Sequence, residues 1–140
     1  MGNLKASVSM ITFNHEKFIA QAIESIMSQQ TSFEFELVIG DDGSTDNTRA
    51  ICEQYQKQFG NKIRLIFNDK NIGSVNNFLQ NIYSCHGDFI AICDGDDFWT
   101  DNSKLQKQVS FLDSHSDFSF CFTNVRSVDS NGKQIKPFTQ

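Results

Sequence analysis

Proline is nearly absent: Pro137 is the one proline in 140 residues. Proline-shaped loops and proline-broken helices are therefore excluded over almost the whole chain. Long apolar runs are missing too. No stretch reaches the length of a membrane span, and the N-terminus lacks the apolar core of a signal peptide. Positive charge is scarce, with 12 Lys and Arg against 17 Asp and Glu and a formal net charge of −5. That argues against a nucleic-acid partner, which needs a basic surface, and against a polybasic membrane patch. Cys52, Cys85, Cys93 and Cys121 are scattered, with no CxxC pair and no Cys/His spacing of zinc type. Reduced thiols and a cytoplasmic location are expected, open to membrane association in a longer protein. No GxGxxG follows the first apolar run, which excludes the common dinucleotide fingerprint. There is no internal repeat and no low-complexity tract.

What is present suits one compact α/β domain over residues 1–140. Apolar residues make up 39% of the chain, including fourteen Phe, enough for an ordinary core. Ala6–Thr12 reads as a strand with Val8 and Met10 on one face. Phe18, Ile19, Ala22, Ile23, Ile26 and Met27 recur at helical spacing. Phe35–Ile39 is a short buried-type strand, and the polar turn Asp41–Asp46 follows it. Ser44 or Thr45 is placed to cap the next helix, whose apolar face is Ile51, Cys52, Tyr55 and Phe59. Ile63–Phe67 is a third strand. Val75, Phe78, Leu79, Ile82 and Tyr83 mark a third helix. Phe89–Cys93 is a fourth strand, and Leu105, Val109 and Leu112 mark a fourth helix. Phe118–Thr123 is expected as a fifth strand, with a hairpin turning at Asn131-Gly132 between Val125–Val128 and Gln134–Ile135. Alternating strands and helices imply a mostly parallel sheet covered on both faces.

Open parallel sheets bind ligands at the carboxyl ends of their strands. The polar residues gather there: Thr12-Phe13-Asn14-His15-Glu16, Asp41-Asp42-Gly43-Ser44 and Asp94-Gly95-Asp96-Asp97. Three close carboxylates at 94, 96 and 97 repel one another unless a cation or hydrogen bonds offset the charge. A hard divalent cation, Mn2+ or Mg2+, removes that conflict and lets an acidic protein hold a diphosphate. A carboxylate at 41 or 42 can accept from a base N–H or a ribose hydroxyl. The same segment can equally be a plain turn with a helix cap. Asn71-Ile72-Gly73-Ser74 can present amides to substrate or simply start a helix. His15 is a ligand candidate or an exposed loop residue. Phe98 and Trp99 line a sugar site or anchor the loop in the core.

Taken together, these blocks resemble the family 2 glycosyltransferases of the GT-A, Rossmann-like fold. The resemblance rests on Ser7–Asn14, on the block Glu36–Thr48 with DDGSTDNT, on Asn71-x-Gly73, on Asp94-Gly95-Asp96-Asp97-Phe98-Trp99 and on Leu105-x-Lys107-Gln108. It covers nearly the whole chain. It departs from many members in lacking a proline before Thr12 and an Arg in the third helix. The resemblance implies a nucleotide-sugar donor, with uridine diphosphate as the most frequent carrier. Thr12, Asn14, Asp41, Asp42, Asp94, Gly95 and Asp96 would contact it, Asp42 at the base and Asp94 on the ribose or sugar side. Asp96 would lead the metal set, with Asp97 and Asp94 as further ligands. The implied reaction passes a sugar to an acceptor hydroxyl, on a saccharide or lipid-linked saccharide, as in bacterial surface polysaccharide synthesis. The catalytic base and the acceptor-binding region are expected beyond Gln140, so the chain is expected to be a truncated donor-binding portion. Alternatives are a donor-binding fragment without activity and a metal-dependent phosphotransfer domain.

Overall fold

The computed structural model describes residues 4–129 and 131–135. The elements run β1 (Leu4–Thr12), α1 (Ile19–Met27), β2 (Glu34–Asp41), α2 (Thr48–Phe59), a 3-10 turn (Gly60–Lys62), β3 (Ile63–Phe67), α3 (Ser74–Tyr83), β4 (Phe89–Ile92) and α4 (Lys104–Ser114). The four strands form one sheet in the order β3-β2-β1-β4, and every neighbouring pair is parallel. This is the open α/β arrangement expected from the alternating pattern.

The two faces of the sheet differ in chemistry. Ala6, Val8 and Met10 of β1 share a face with Leu37 and Ile39 of β2. Together with Ile63 and Cys93 they meet Ile19, Ala22, Ile23 and Ile26 of α1, Cys52 of α2, and Leu105 and Val109 of α4. All of these side chains are buried, which is the main stabilising term of the fold. Burial, reinforced by nearby carboxylates, pushes the Cys52 and Cys93 thiols up to about 12. Both stay protonated and behave as small apolar groups.

The other face is polar and carries α3. Its inward residues are not the apolar ones. Asn77 and Asn81 are buried, whereas Val75 is 69% and Tyr83 is 82% exposed. The Asn77 side-chain amide donates to the Gly40 carbonyl at 2.8 Å. That of Asn81 donates to Ser9 Oγ at 2.8 Å and to the Val38 carbonyl at 3.0 Å. Val75, Phe78, Leu79, Ile82 and Tyr83 mark this helix as expected, but they do not set its inward face. The period identified the helix, but hydrogen bonds to the sheet rather than apolar burial set its rotation. Close approach of α3 also requires Gly40, where a Cβ would lie 2.8 Å from Asn77 Oδ1.

Lower on that face, Glu36 is tied to Arg64 Nε at 2.7 Å and accepts the Ser7 hydroxyl at 2.7 Å. The His86 amide also donates to it at 3.1 Å. Burial alone would raise the Glu36 carboxyl, but the bonds from Arg64, Ser7 and His86 outweigh it and hold the group below the usual range.

Two further expectations change. Phe118–Thr123 forms no strand, and Phe118, Phe120 and Phe122 are exposed. Alternation makes a strand only where a sheet edge accepts it. Here the Phe118 ring lies tilted against Phe111 of α4, with ring centroids 5.5 Å apart, and Gln108 contacts Cys121. The hairpin at Asn131-Gly132 is present in minimal form, as one antiparallel bridge between Val128 and Gln134.

Two measurements test this account. Gly40→Ala should lower unfolding stability in urea by about 1–3 kcal/mol, the usual effect of overpacking; an unchanged midpoint would contradict the close approach of α3. Glu36→Gln should cost about 2 kcal/mol at neutral pH, typical of hydrogen bonds to a charged group. Because the folded pKa lies below the unfolded one, the carboxylate's contribution is full above pH 4.5 and fades as pH falls through the folded value. The gap between wild type and variant should close in acid.

Candidate active site at the strand ends

Backbone bonds across the carboxyl ends of the strands build the site. The Asp42 amide donates to the Thr12 carbonyl at 3.0 Å, and the Gly95 amide donates to the Ile11 carbonyl at 2.9 Å. They bring the ends of β1, β2 and β4 side by side. A cleft of about 330 Å3 opens there, lined by Ile11, Thr12, Phe13, His15, Asp42, Asn71, Ser74, Asn77, Asp94 and Asp96. Its size is within the usual range for small-ligand sites. A larger depression of about 910 Å3 lies at the amino ends of the strands, among Leu4, Met27, Phe33, Phe35, Phe59 and Lys62. It is away from the acidic runs and on the wrong edge for an open α/β sheet.

Four of the seven expected donor contacts, Thr12, Asp42, Asp94 and Asp96, line the cleft together. Thr12 is 2% exposed and its Oγ1 has no hydrogen-bond partner. Asp42 is 3% exposed; its oxygens accept the amides of Ile72 at 2.8 Å and Gly73 at 3.0 Å. Those two amides, expected as possible substrate contacts, are thus engaged by Asp42. Gly43 turns the chain at φ +77, and a Cβ there would meet the Asn71 nitrogen at 2.7 Å. Gly95 is buried with no room for a side chain, since a Cβ would lie 2.7 Å from Thr12 Oγ1 and 3.0 Å from His15 Nδ1.

Asp41 and Asn14 have other partners. Asp41 is fully buried, with Arg49 Nε 2.6 Å from Oδ2 and the Ser44 amide donating to the same oxygen. Arg49 also lies over the Phe67 ring at 5.0 Å. Asn14 sits at φ 55, a conformation that Asn tolerates. Its Oδ1 accepts the Thr45 amide at 2.8 Å, and its own amide donates to Ser44 Oγ at 2.9 Å. Ser44 and Thr45 therefore hold the loop after β1 rather than cap α2. The amide of Thr48, the first residue of α2, donates instead to Asp46 Oδ1 at 2.9 Å.

Asp94, Asp96 and Asp97 make no side-chain hydrogen bond among the described residues. Burial raises the carboxyl pKa values of Asp94 and Asp97, and the neighbouring carboxylates raise them further. His15 offsets this in part. The expected three-carboxylate metal set is not preassembled: among the described residues no three His, Cys, Asp or Glu groups converge, and Asp97 is not part of the cleft wall. Trp99 packs against the core, its amide donating to Ser25 Oγ at 3.0 Å. His15 is a cleft residue, its Nε2 3.9 Å from Asp96 Oδ2. Asn77 and Ser74 also line the cleft. Ser74 belongs to the Asn71-Ile72-Gly73-Ser74 segment already noted, whereas Asn77 did not stand out in the sequence, although the Asn77/Asn81 spacing of one helical turn was a usable signal.

A family model described as Glycosyl transferase family 2 matches residues 7–138. The chain belongs to glycosyl transferase family 2. It is 38% identical over 131 residues to the putative glycosyltransferase EpsE of Bacillus subtilis, covering 91% of this chain and 45% of that protein. It is 31% identical over 140 residues to an Escherichia coli protein, covering 98% of this chain and 53% of that one. That relative is the UDP-Glc:alpha-D-GlcNAc-diphosphoundecaprenol beta-1,3-glucosyltransferase WfgD. The crystal structure of S. aureus TarS in complex with UDP superposes with a TM-score of 0.71 at 30% identity, over 81% of this chain and 33% of that one. The GT-A fold is thereby shown, and the phosphotransfer alternative falls. The chain spans about 38–54% of the length of the curated relatives it matches. No helix among the described residues is long and apolar enough to cross a membrane.

The carboxylates divide into two kinds, and thermal unfolding in metal-free buffer at pH 7 should separate them. Asp94→Asn should raise the melting temperature, because a charge with a raised pKa opposes folding above that pKa. Asp41→Asn should lower it, because Arg49 loses its buried partner. A lower melting temperature for Asp94→Asn would contradict a site under electrostatic stress.

Proposed function

We propose that the cleft binds the nucleotide diphosphate of a sugar donor, with a uridine carrier as the leading candidate. The observation that carries this reading is the convergence of Thr12, Asp42, Asp94 and Asp96 on one cleft at the carboxyl edge of the sheet. The family and the UDP bound to the similar TarS support it. Asp42 has accepting capacity left after the Ile72 and Gly73 amides and a long bond from Asn68 Nδ2 at 3.4 Å, since a carboxylate offers about four lone-pair sites. It is placed for a base N–H, while the unpartnered Thr12 hydroxyl supplies a second polar contact. Phe13 and Ile11 give the apolar walls.

The donor set fits a divalent ion of the Mg2+ or Mn2+ type, which takes one or two carboxylates and completes its shell with water and substrate phosphate. Asp94 and Asp96 are unpartnered by hydrogen bonds and face the same cleft, with Asp97 as a reserve ligand. When bound, such an ion would neutralise the diphosphate and stabilise it as a leaving group. Asp42 and Thr12 would fix the nucleoside end, so that the sugar faces the open side of the cleft. Donor binding is proposed of these 140 residues. Transfer to a saccharide or lipid-linked acceptor is proposed of a protein of the relatives' full length, with the acceptor site and base outside the region described. The names of the relatives support polysaccharide synthesis as the setting.

Calorimetry with UDP, GDP and dTDP, with and without Mn2+, tests the reading. Metal-dependent binding of UDP is expected, and Asp96→Ala should abolish it. Equal binding in the presence of chelator would remove the metal from the account, and binding unaffected by Asp42→Ala would remove the cleft.

A further inference from the structure

His15 occupies a position that neither the family motif nor the donor reading above assigns. Its backbone amide donates to Thr48 Oγ1 at 2.9 Å. The surrounding loop is pinned by the bonds of Asn14 to Ser44 and Thr45, and of the Glu16 amide to Asp46 at 3.1 Å. The imidazole is thus held on a braced backbone rather than on a free loop. One ring edge is buried: Nδ1 has no hydrogen-bond partner and faces Gly95, at 3.0 Å from where a Cβ would stand. The other edge, Nε2, reaches the cleft 3.9 Å from Asp96 Oδ2.

Two facts make this arrangement chemically specific. First, the residues lining the cleft include no Lys and no Arg. His15 brings a ring nitrogen to a wall that otherwise presents the carboxylates of Asp42, Asp94 and Asp96. Second, a proton on Nδ1 would be a buried donor with no acceptor, a rare arrangement in folded proteins. The tautomer with its proton on Nε2 avoids this and aims an N–H into the cleft beside the carboxylates.

We propose that His15 donates a hydrogen bond from Nε2 to the diphosphate of the bound nucleotide. The inference rests on the donor-site reading above. A hydrogen bond to an anion in a partly enclosed site is among the stronger polar contacts. Here it would position the phosphates beside Asp94 and Asp96 while the nucleoside end stays with Thr12 and Asp42. The role is one of positioning and of stabilising the diphosphate, and it leaves base recognition untouched.

The test is NMR titration in Mn2+-free, Mg2+-containing buffer of wild type, His15→Phe and His15→Gln. Each protein is titrated with UDP, GDP and dTDP and with the three matching nucleosides. His15→Phe keeps a planar ring and loses the donor. It should weaken the diphosphate that wild type binds by about tenfold, the worth of one hydrogen bond to a charged group. Its nucleoside affinity should stay unchanged. His15→Gln, whose amide N–H can stand near the Nε2 position, should recover most of the loss. Equal weakening of nucleoside and diphosphate would show a purely structural role and overturn the proposal, as would diphosphate affinity unaffected by His15→Phe. If wild type binds none of the three diphosphates, the donor-site reading itself fails and His15 loses its role with it.

Discussion

The site depends on the parallel register at the ends of β1, β2 and β4. Thr12 stands opposite Asp41, the Asp42 amide closes onto the Thr12 carbonyl, and the Gly95 amide closes onto the Ile11 carbonyl. A one-residue slip in a strand sends every side chain to the opposite face. The two adjacent aspartates of β2's end show what that would mean. Asp41 turns toward α2 and is neutralised by Arg49. Asp42 turns the other way, collects the amides of Ile72 and Gly73, and borders the cleft. Register therefore decides which carboxylate stabilises the fold and which is available to a ligand.

The same parity explains the unequal faces of the sheet. One face is a closed apolar core beneath α1, α2 and α4. The other is held by polar contacts, with Glu36 and Arg64 near the amino ends and Asn77 and Asn81 across the middle. Asn77 also reaches the cleft, so the helix that packs by hydrogen bonds supplies part of the site wall. Gly40 and Gly95 are both places where a missing side chain lets two elements meet. The first admits α3 to the sheet, and the second admits the loop after β1 to the acidic turn.

Much of this was legible in the sequence. Four strands and four helices follow from apolar period, and the position of the cleft follows from where the polar blocks fall. Motif membership did not separate cleft-facing residues from structural ones. Asp41 and Asn14 sit within the most recognisable blocks, yet Arg49 takes the first, and the Ser44–Thr45 turn takes the second. Only the rotation of side chains about the backbone separates them from Asp42 and Thr12. The rotation of helix α3 was not legible for a related reason. Its apolar residues have helical spacing, but the inward face is chosen by two asparagines that satisfy sheet carbonyls and Ser9. Phe118–Thr123 has the alternation of a strand and no partner strand among the described residues, so its pattern had nothing to act upon. His15 was legible only as a ligand candidate or an exposed loop residue after β1; the approach of Gly95 to its ring is a feature of the fold.

The nucleotide proposed above should lie across the carboxyl ends of β1, β2 and β4. A crystal structure of this chain with UDP and Mn2+ tests it most directly. Density for the base is expected beside Thr12 and Asp42, and for the diphosphate beside Asp94 and Asp96. Nucleotide density in the depression between Leu4, Phe33 and Lys62 at the opposite edge of the sheet, with the strand-end cleft empty, would contradict it.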